Sequence, residues 1–151
     1  MKDKRQEKQH MSTENNKALI RRVYEEAINQ GNLALFDDLV SSDYVLHDPN
    51  YPQPVRGAEG LKQYIQVFRT AYPDLHFTIE DIIGEGDTVA VRQTSRGTHR
   101  GELFGIPPTG KQPTVTGMTY HRFVNGKLVE RWVNYDGLGM LQQLGVVPAM
   151  S

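Results

Sequence analysis

The residues best suited to chemistry gather in VERWVNYDGLGMLQQLG, Val129 to Gly145, which reads as a strand running into an amphipathic helix. Successive side chains on a strand point to opposite faces, so Glu130, Trp132, Asn134 and Asp136 share one face and Val129, Arg131, Val133 and Tyr135 the other. Neither face is clean. Asp136 ends the strand on the tryptophan side, where apolar surroundings would raise its pKa and let it take and return a proton. The same aspartate precedes Gly137 and a helix, and so also fits a helix cap, which needs only its oxygen. Glu130 fits a solvated strand position.

A second cluster lies in LHDP, where His47 stands at the junction of a short strand and a proline loop, with Asp48 directly after it. A histidine there can hydrogen-bond a substrate or pair with a carboxylate, and equally can be an exposed loop residue. We take Asp136 as the proton carrier, with His47 and Asn134 orienting the substrate.

The remaining histidines, His76, His99 and His121 among them, show no HxxxH or HxH spacing, and the chain has no cysteine. We therefore expect no metal, while disulfides and thiolate nucleophiles are excluded. No Gly-x-Ser-x-Gly occurs, and GELFGIPPTGK lacks the spacing of a phosphate-binding loop.

These groups must be held by a sheet. In VAVRQTSRGTH, Arg92, Thr94 and Arg96 alternate with Val89, Val91 and Gln93, and we read the arginine row as facing solvent. On the following strand Thr114, Thr116, Met118 and Tyr120 oppose Val115, Gly117, Thr119 and His121. Mixed faces on neighbouring strands are what a semi-polar pocket produces. Trp132, Tyr120 and Met118 are expected to shape its wall, with Asn134 and His121 as further ligand contacts.

Upstream, Ala18, Leu19, Val23, Ala27 and Ile28 recur at helical spacing after a cap at Ser12 or Thr13, and Gly31 supplies the stop near Gln30. A short second helix contains Leu35, Phe36, Leu39 and Val40, and a third, about Ala58 to Ala71, buries Leu61, Tyr64, Ile65 and Phe68. From Leu75 the period changes to that of strands, with hairpin turns at Gly84 to Asp87 and at Asn125-Gly126. Three helices ahead of a mostly antiparallel sheet give an α+β fold rather than parallel βαβ units. Long twisted strands curl, so the expected shape is a cone-like cup with a central cavity.

At 151 residues the chain corresponds to one domain, which we place over residues 13–151. Residues 1–12, MKDKRQEKQHMS, are too polar to pack and read as a disordered tail. No apolar run follows them and no long apolar segment occurs elsewhere, so the reading is a cytoplasmic protein with no membrane partner. A formal net charge of -1 without a basic stripe argues against nucleic acid.

The segments YEEAINQGNLALFDDLVSSDYVLHDP, LFGIPPTGK, TGMTYHRFVNGKLVERW and YDGLGMLQQLG, in this order between Asn15 and Gly145, resemble the SnoaL-like polyketide cyclases. These are also described as predicted ester cyclases, within the nuclear-transport-factor-two-like superfamily. The resemblance implies a curved sheet wrapped by three helices around a deep cavity, and a homodimer packed through the sheet. It implies an intramolecular aldol condensation without metal or cofactor, in which an acidic side chain moves protons in an apolar cavity on a small hydrophobic ligand. Many members carry an acid directly after the tryptophan, where this chain has Val133. That departure keeps open a ligand-binding module without chemistry, and an epoxide- or ester-hydrolysing relative is a further alternative.

Overall fold

Ile20, Val23, Tyr24, Ala27 and Ile28 lie on one helical stripe, and all five are buried. They belong to α1, Lys4–Arg22, and its π-helical continuation Val23–Asn29, in the computed structural model, which describes residues 3–150. Gly31, at φ +80°, ends the run as expected. The start differs from expectation, because α1 begins at Lys4, with the Asp3 side chain accepting from the Arg5 amide, rather than at Ser12 or Thr13. Its first turns are exposed yet rich in Glu, Lys, Gln and Arg, strong helix formers that need no core. Thr13 is buried instead of capping, and its hydroxyl donates to the Gly86 carbonyl at 2.7 Å, tying α1 to a hairpin turn.

The short α2, Leu35–Leu39, runs directly into β1, Val40–His47. After the proline loop come β2, Val55–Arg56, and α3, Gly57–Ala71, which buries Leu61, Tyr64 and Ile65 as its spacing predicts. The remaining strands are β3, His76–Glu85, β4, Thr88–Arg96, β5, Thr114–Val124, and β6, Lys127–Tyr135, followed by α4, Gly137–Gln143. They form one six-stranded sheet in the order β2-β1-β6-β5-β4-β3, antiparallel except where β1 lies parallel to β6. The β5 to β6 turn holds Asn125 and Gly126 at φ 49° and 77°, the left-handed pair that a tight hairpin requires.

Register shifts between Ile79 and Asp81 and between Arg122 and Phe123 add bend to strands that already twist. The helices cover the concave side, so the α+β class with a curved, mostly antiparallel sheet is as expected. Two apolar clusters fill the space between helices and sheet. The larger joins Phe36, Leu61 and Ile65 to Val89, Phe123 and Leu128; the smaller joins Tyr72, Leu75 and Leu103 to Val115, Met140 and Leu144.

Candidate active site

Between the two clusters, which Phe68, Phe77 and Tyr135 bridge, lies a cavity of about 60 Å³. Ile28, Ile65 and Val133 face it from the larger cluster, and Tyr72, Val115 and Met140 from the smaller. Its polar groups are few. Gln93 comes from β4, Tyr64 from α3, and Arg131 and Tyr135 from β6, while Ser95 and the exposed Arg96 lie at one end of β4.

On β6 the cavity face is that of Arg131, Val133 and Tyr135. The expected wall is therefore corrected. Trp132, Asn134, Tyr120 and Met118 stand on the outer face, with Met118 63% and Tyr120 48% exposed. Trp132 packs edge-on against Tyr120 at 5.6 Å and stacks on His47 at 5.3 Å. His47 Nε2 lies 2.8 Å from Glu130 Oε2, and Arg122 donates to the other Glu130 oxygen at 3.0 Å. The His47 hydrogen bond, aided by Arg122, holds the Glu130 carboxyl below its usual pKa. His47, Trp132 and Asn134 line a second recess together with Asp48 and with Val133, which also lines the cavity.

Asp136 is likewise not among the cavity residues. It is exposed, and its Oδ1 accepts from the Gly139 amide at 2.8 Å, so it caps α4. Of the sequence-predicted site residues only His121 is buried on the inner face, where Nε2 lies 2.9 Å from the Thr119 hydroxyl. Thr119 meets Tyr24 at 3.0 Å, and Tyr24 donates to Gln93 Oε1 at 2.5 Å. Burial, reinforced by the positive charge of Arg131, pushes the His121 pKa well below its ordinary value, so the ring is neutral.

Two functional candidates were missed in the sequence reading. Asp48 is 5% exposed; its Oδ2 accepts from the Tyr64 hydroxyl at 2.7 Å and its Oδ1 from the Asn50 amide at 2.8 Å. A buried carboxylate thus holds the hydroxyl of a tyrosine that lines the cavity. Burial, with the Asp48 charge adding to it, raises the Tyr64 pKa far above the ordinary phenol value despite Arg131, so the phenol stays protonated. Arg131, 5% exposed, pairs with no carboxylate among the described residues. Burial works against its charge, but the oxygens of Tyr24, Tyr44 and Tyr64 outweigh that and raise its pKa. The sequence signals for these two were present but local: the acid next to His47, and an arginine alternating with Val133.

Among the described residues no three His, Asp or Glu side chains are placed to hold a metal ion, and no helix is long and apolar enough to cross a membrane. The site can bind an apolar body, move a proton between Tyr64 and Asp48, and present one positive charge.

A family model of SnoaL-like polyketide cyclases matches residues 18–144. IdmH from Streptomyces antibioticus, a candidate polyketide cyclase, is 37% identical over 87% of this chain and 99% of its own, with a TM-score of 0.75. AclR from Streptomyces galilaeus, a candidate hydroxylase, is 30% identical over 92% of this chain and 86% of its own, with a TM-score of 0.81. A SnoaL-like protein from a Jannaschia species shares the fold at a TM-score of 0.83 with 22% identity, over 90% of this chain and 95% of its own. No curated protein matches the chain.

Proposed function

The chain belongs to the SnoaL-like polyketide cyclase family, and from that membership we propose that it is a small enzyme working by acid-base chemistry without a cofactor. The reaction is of cyclase type, an aldol condensation or isomerisation, on an apolar carbonyl compound held between the two core clusters. The observation that supports this reading is that Tyr64, a residue of the cavity lining, is bonded through its hydroxyl at 2.7 Å to the buried Asp48 carboxylate.

A substrate carbon next to a carbonyl, seated against Tyr64, gives its proton to the phenol oxygen as the phenol proton passes to Asp48 Oδ2. The electron pair left behind becomes an enolate. When that enolate attacks a second carbonyl of the same molecule, the new alkoxide recovers the proton by the same route. Because burial disfavours a free phenolate, the two transfers move together. Acid-base assistance of this kind contributes about a hundredfold to ten-thousandfold. Folding of the substrate by the apolar walls supplies the rest.

The test is exchange of the methyl protons of 1-acetonaphthone in heavy water, followed by NMR. Wild-type protein accelerates exchange, and Asp48→Asn loses the acceleration. Absence of acceleration by the wild type, with a thermal shift by the same ketone retained, would establish instead a binding module without chemistry. Val133 supports that second reading, since it lines the cavity at the position after Trp132 where many relatives carry an acid.

We place the interface of a homodimer on the outer sheet face. Ile83, Met118 and Tyr120 are exposed there and, with Trp132, line one shallow apolar hollow, which a second copy of this chain would cover.

A further inference from the structure

We propose that Arg131 makes the cavity selective for a planar monoanion carrying two oxygens on an apolar body, and that this ligand is a 1,3-dicarbonyl compound bound as its enolate. The inference rests on the cavity being the ligand site.

Arg131 reaches the cavity from β6 while 5% exposed, and no carboxylate pairs with it among the described residues. Its Nε has no hydrogen-bond partner there. The titratable groups around it are Tyr24 from the π-helical continuation of α1, Tyr44 from β1, Tyr64 from α3 and His121 from β5. Burial keeps these three phenols protonated and His121 uncharged, so all four offer dipoles, and the carboxylate of Asp48 stands behind the Tyr64 hydroxyl rather than against Arg131. The side-chain oxygen of Gln93 is already taken by Tyr24. The tyrosine oxygens hold the buried cation, and an anion entering the cavity would meet a desolvated positive charge that no carboxylate contacts among the described residues.

The rest of the wall sets the shape of that anion. Ile65, Phe68, Leu75, Phe77 and Met140 call for an apolar body, and the exposed Arg96 at the rim adds positive charge along the way in. A single planar guanidinium with forked donors matches a planar, singly charged group with two oxygens. A phosphate would call for several donors and a second positive charge, and the only other arginine at the cavity lies out at its rim.

Among planar two-oxygen anions the enolate is favoured because the proton it must lose has somewhere to go. The carbon between the carbonyls releases its proton through Tyr64 to Asp48 Oδ2, and the electron pair spreads over both oxygens facing Arg131. Val133 then acquires an explanation. Two positions from Arg131 on the same face, an acid would place a negative charge against the ligand, whereas valine leaves the guanidinium free for it.

The test uses benzoylacetone, whose enolate absorbs at longer wavelength than its neutral forms. Absorbance is titrated against pH with and without the protein. Bound benzoylacetone should ionise about one pH unit or more below the free compound, the size of shift that a close opposite charge produces. Arg131→Lys should keep part of the shift and Arg131→Met none of it. The 2,2-dimethyl derivative, which cannot form this enolate, should bind about tenfold more weakly or worse, with an affinity indifferent to Arg131→Met.

Equal binding of both diketones without an ionisation shift overturns the proposal and leaves the carbonyl-binding cavity standing. Tighter binding of 1-naphthoate than of benzoylacetone overturns the enolate assignment in favour of a carboxylic acid. Binding of none of the three compounds overturns both the proposal and the reading beneath it. The wild-type titration decides the matter even where Arg131→Met fails to fold.

Discussion

The Tyr64 hydroxyl donates to Asp48 Oδ2 across 2.7 Å, joining the cavity wall to an acid that is itself 5% exposed. The two ends of this bond respond differently to mutation. Asp48→Asn keeps the shape and an acceptor but removes the proton carrier, and should slow methyl-proton exchange of 1-acetonaphthone by about a hundredfold or more at near-normal stability. Tyr64→Phe removes the donor and leaves a buried carboxylate oxygen short of a partner, lowering stability by about 1–3 kcal/mol as well as slowing exchange. Urea denaturation alongside the NMR assay separates the two effects. Equal rates in wild type and both variants would remove the pair from the mechanism.

Asp136 makes the opposite prediction. Its Oδ1 bond to the Gly139 amide at 2.8 Å is a helix cap that asparagine can reproduce and alanine cannot. Asp136→Asn should therefore be close to neutral, while Asp136→Ala should lower the unfolding free energy by about 0.5–2 kcal/mol. Both should exchange ketone protons at the wild-type rate. A large loss of rate in Asp136→Asn would return Asp136 to the candidate catalytic residues.

These two carboxylates show where the sequence was informative. The elements were legible because local signals agreed: the stripe from Ile20 to Ile28, the Asn125-Gly126 turn, and the change of period at Leu75. Alternation on β6 correctly divided its residues into two sets, but it does not say which set faces in. Reading Trp132 as the inward residue followed its bulk. The fold instead covers Trp132 with His47 and Tyr120 on the outside, and turns Arg131 inward among tyrosines from three other elements. An arginine looks exposed in a sequence because its partners, Tyr24, Tyr44 and Tyr64, are distant along the chain. Likewise Asp48 looked secondary to His47 until α3 delivered Tyr64 to it.

The outer face carries its own prediction. Met118 is 63% and Ile83 64% exposed beside Tyr120 and Trp132, an apolar surface that a second copy would bury. Met118→Glu places charges against each other or against apolar surface in such an interface, and should convert a dimer into monomer in light-scattering measurements. Exchange of 1-acetonaphthone protons should persist in any folded monomer, because the cavity is built within one chain. A wild-type protein that is monomeric at tens of micromolar would dismiss this interface.

His121 should make stability depend on pH in a defined direction. Its ring is buried, and burial together with Arg131 lowers its pKa well below the ordinary value of 6.5. The unfolded chain takes up a proton at His121 near that value, whereas the folded chain does not. Protonation therefore favours unfolding: the stability is fully present above 6.5 and is lost as pH falls through and below it. The slope from this one group approaches about 1.4 kcal/mol per pH unit once the unfolded ring is fully protonated. Urea denaturation between about pH 7 and pH 5, above the range where most carboxylates titrate, should show it. In His121→Gln the slope should drop by up to one proton while other histidines contribute equally to both proteins. At the upper end of the range the variant should be the less stable, because glutamine must refit the site between Thr119 and Arg131. Equal slopes would mean that His121 takes up its proton in the folded protein, and that Arg131 does not face a neutral ring.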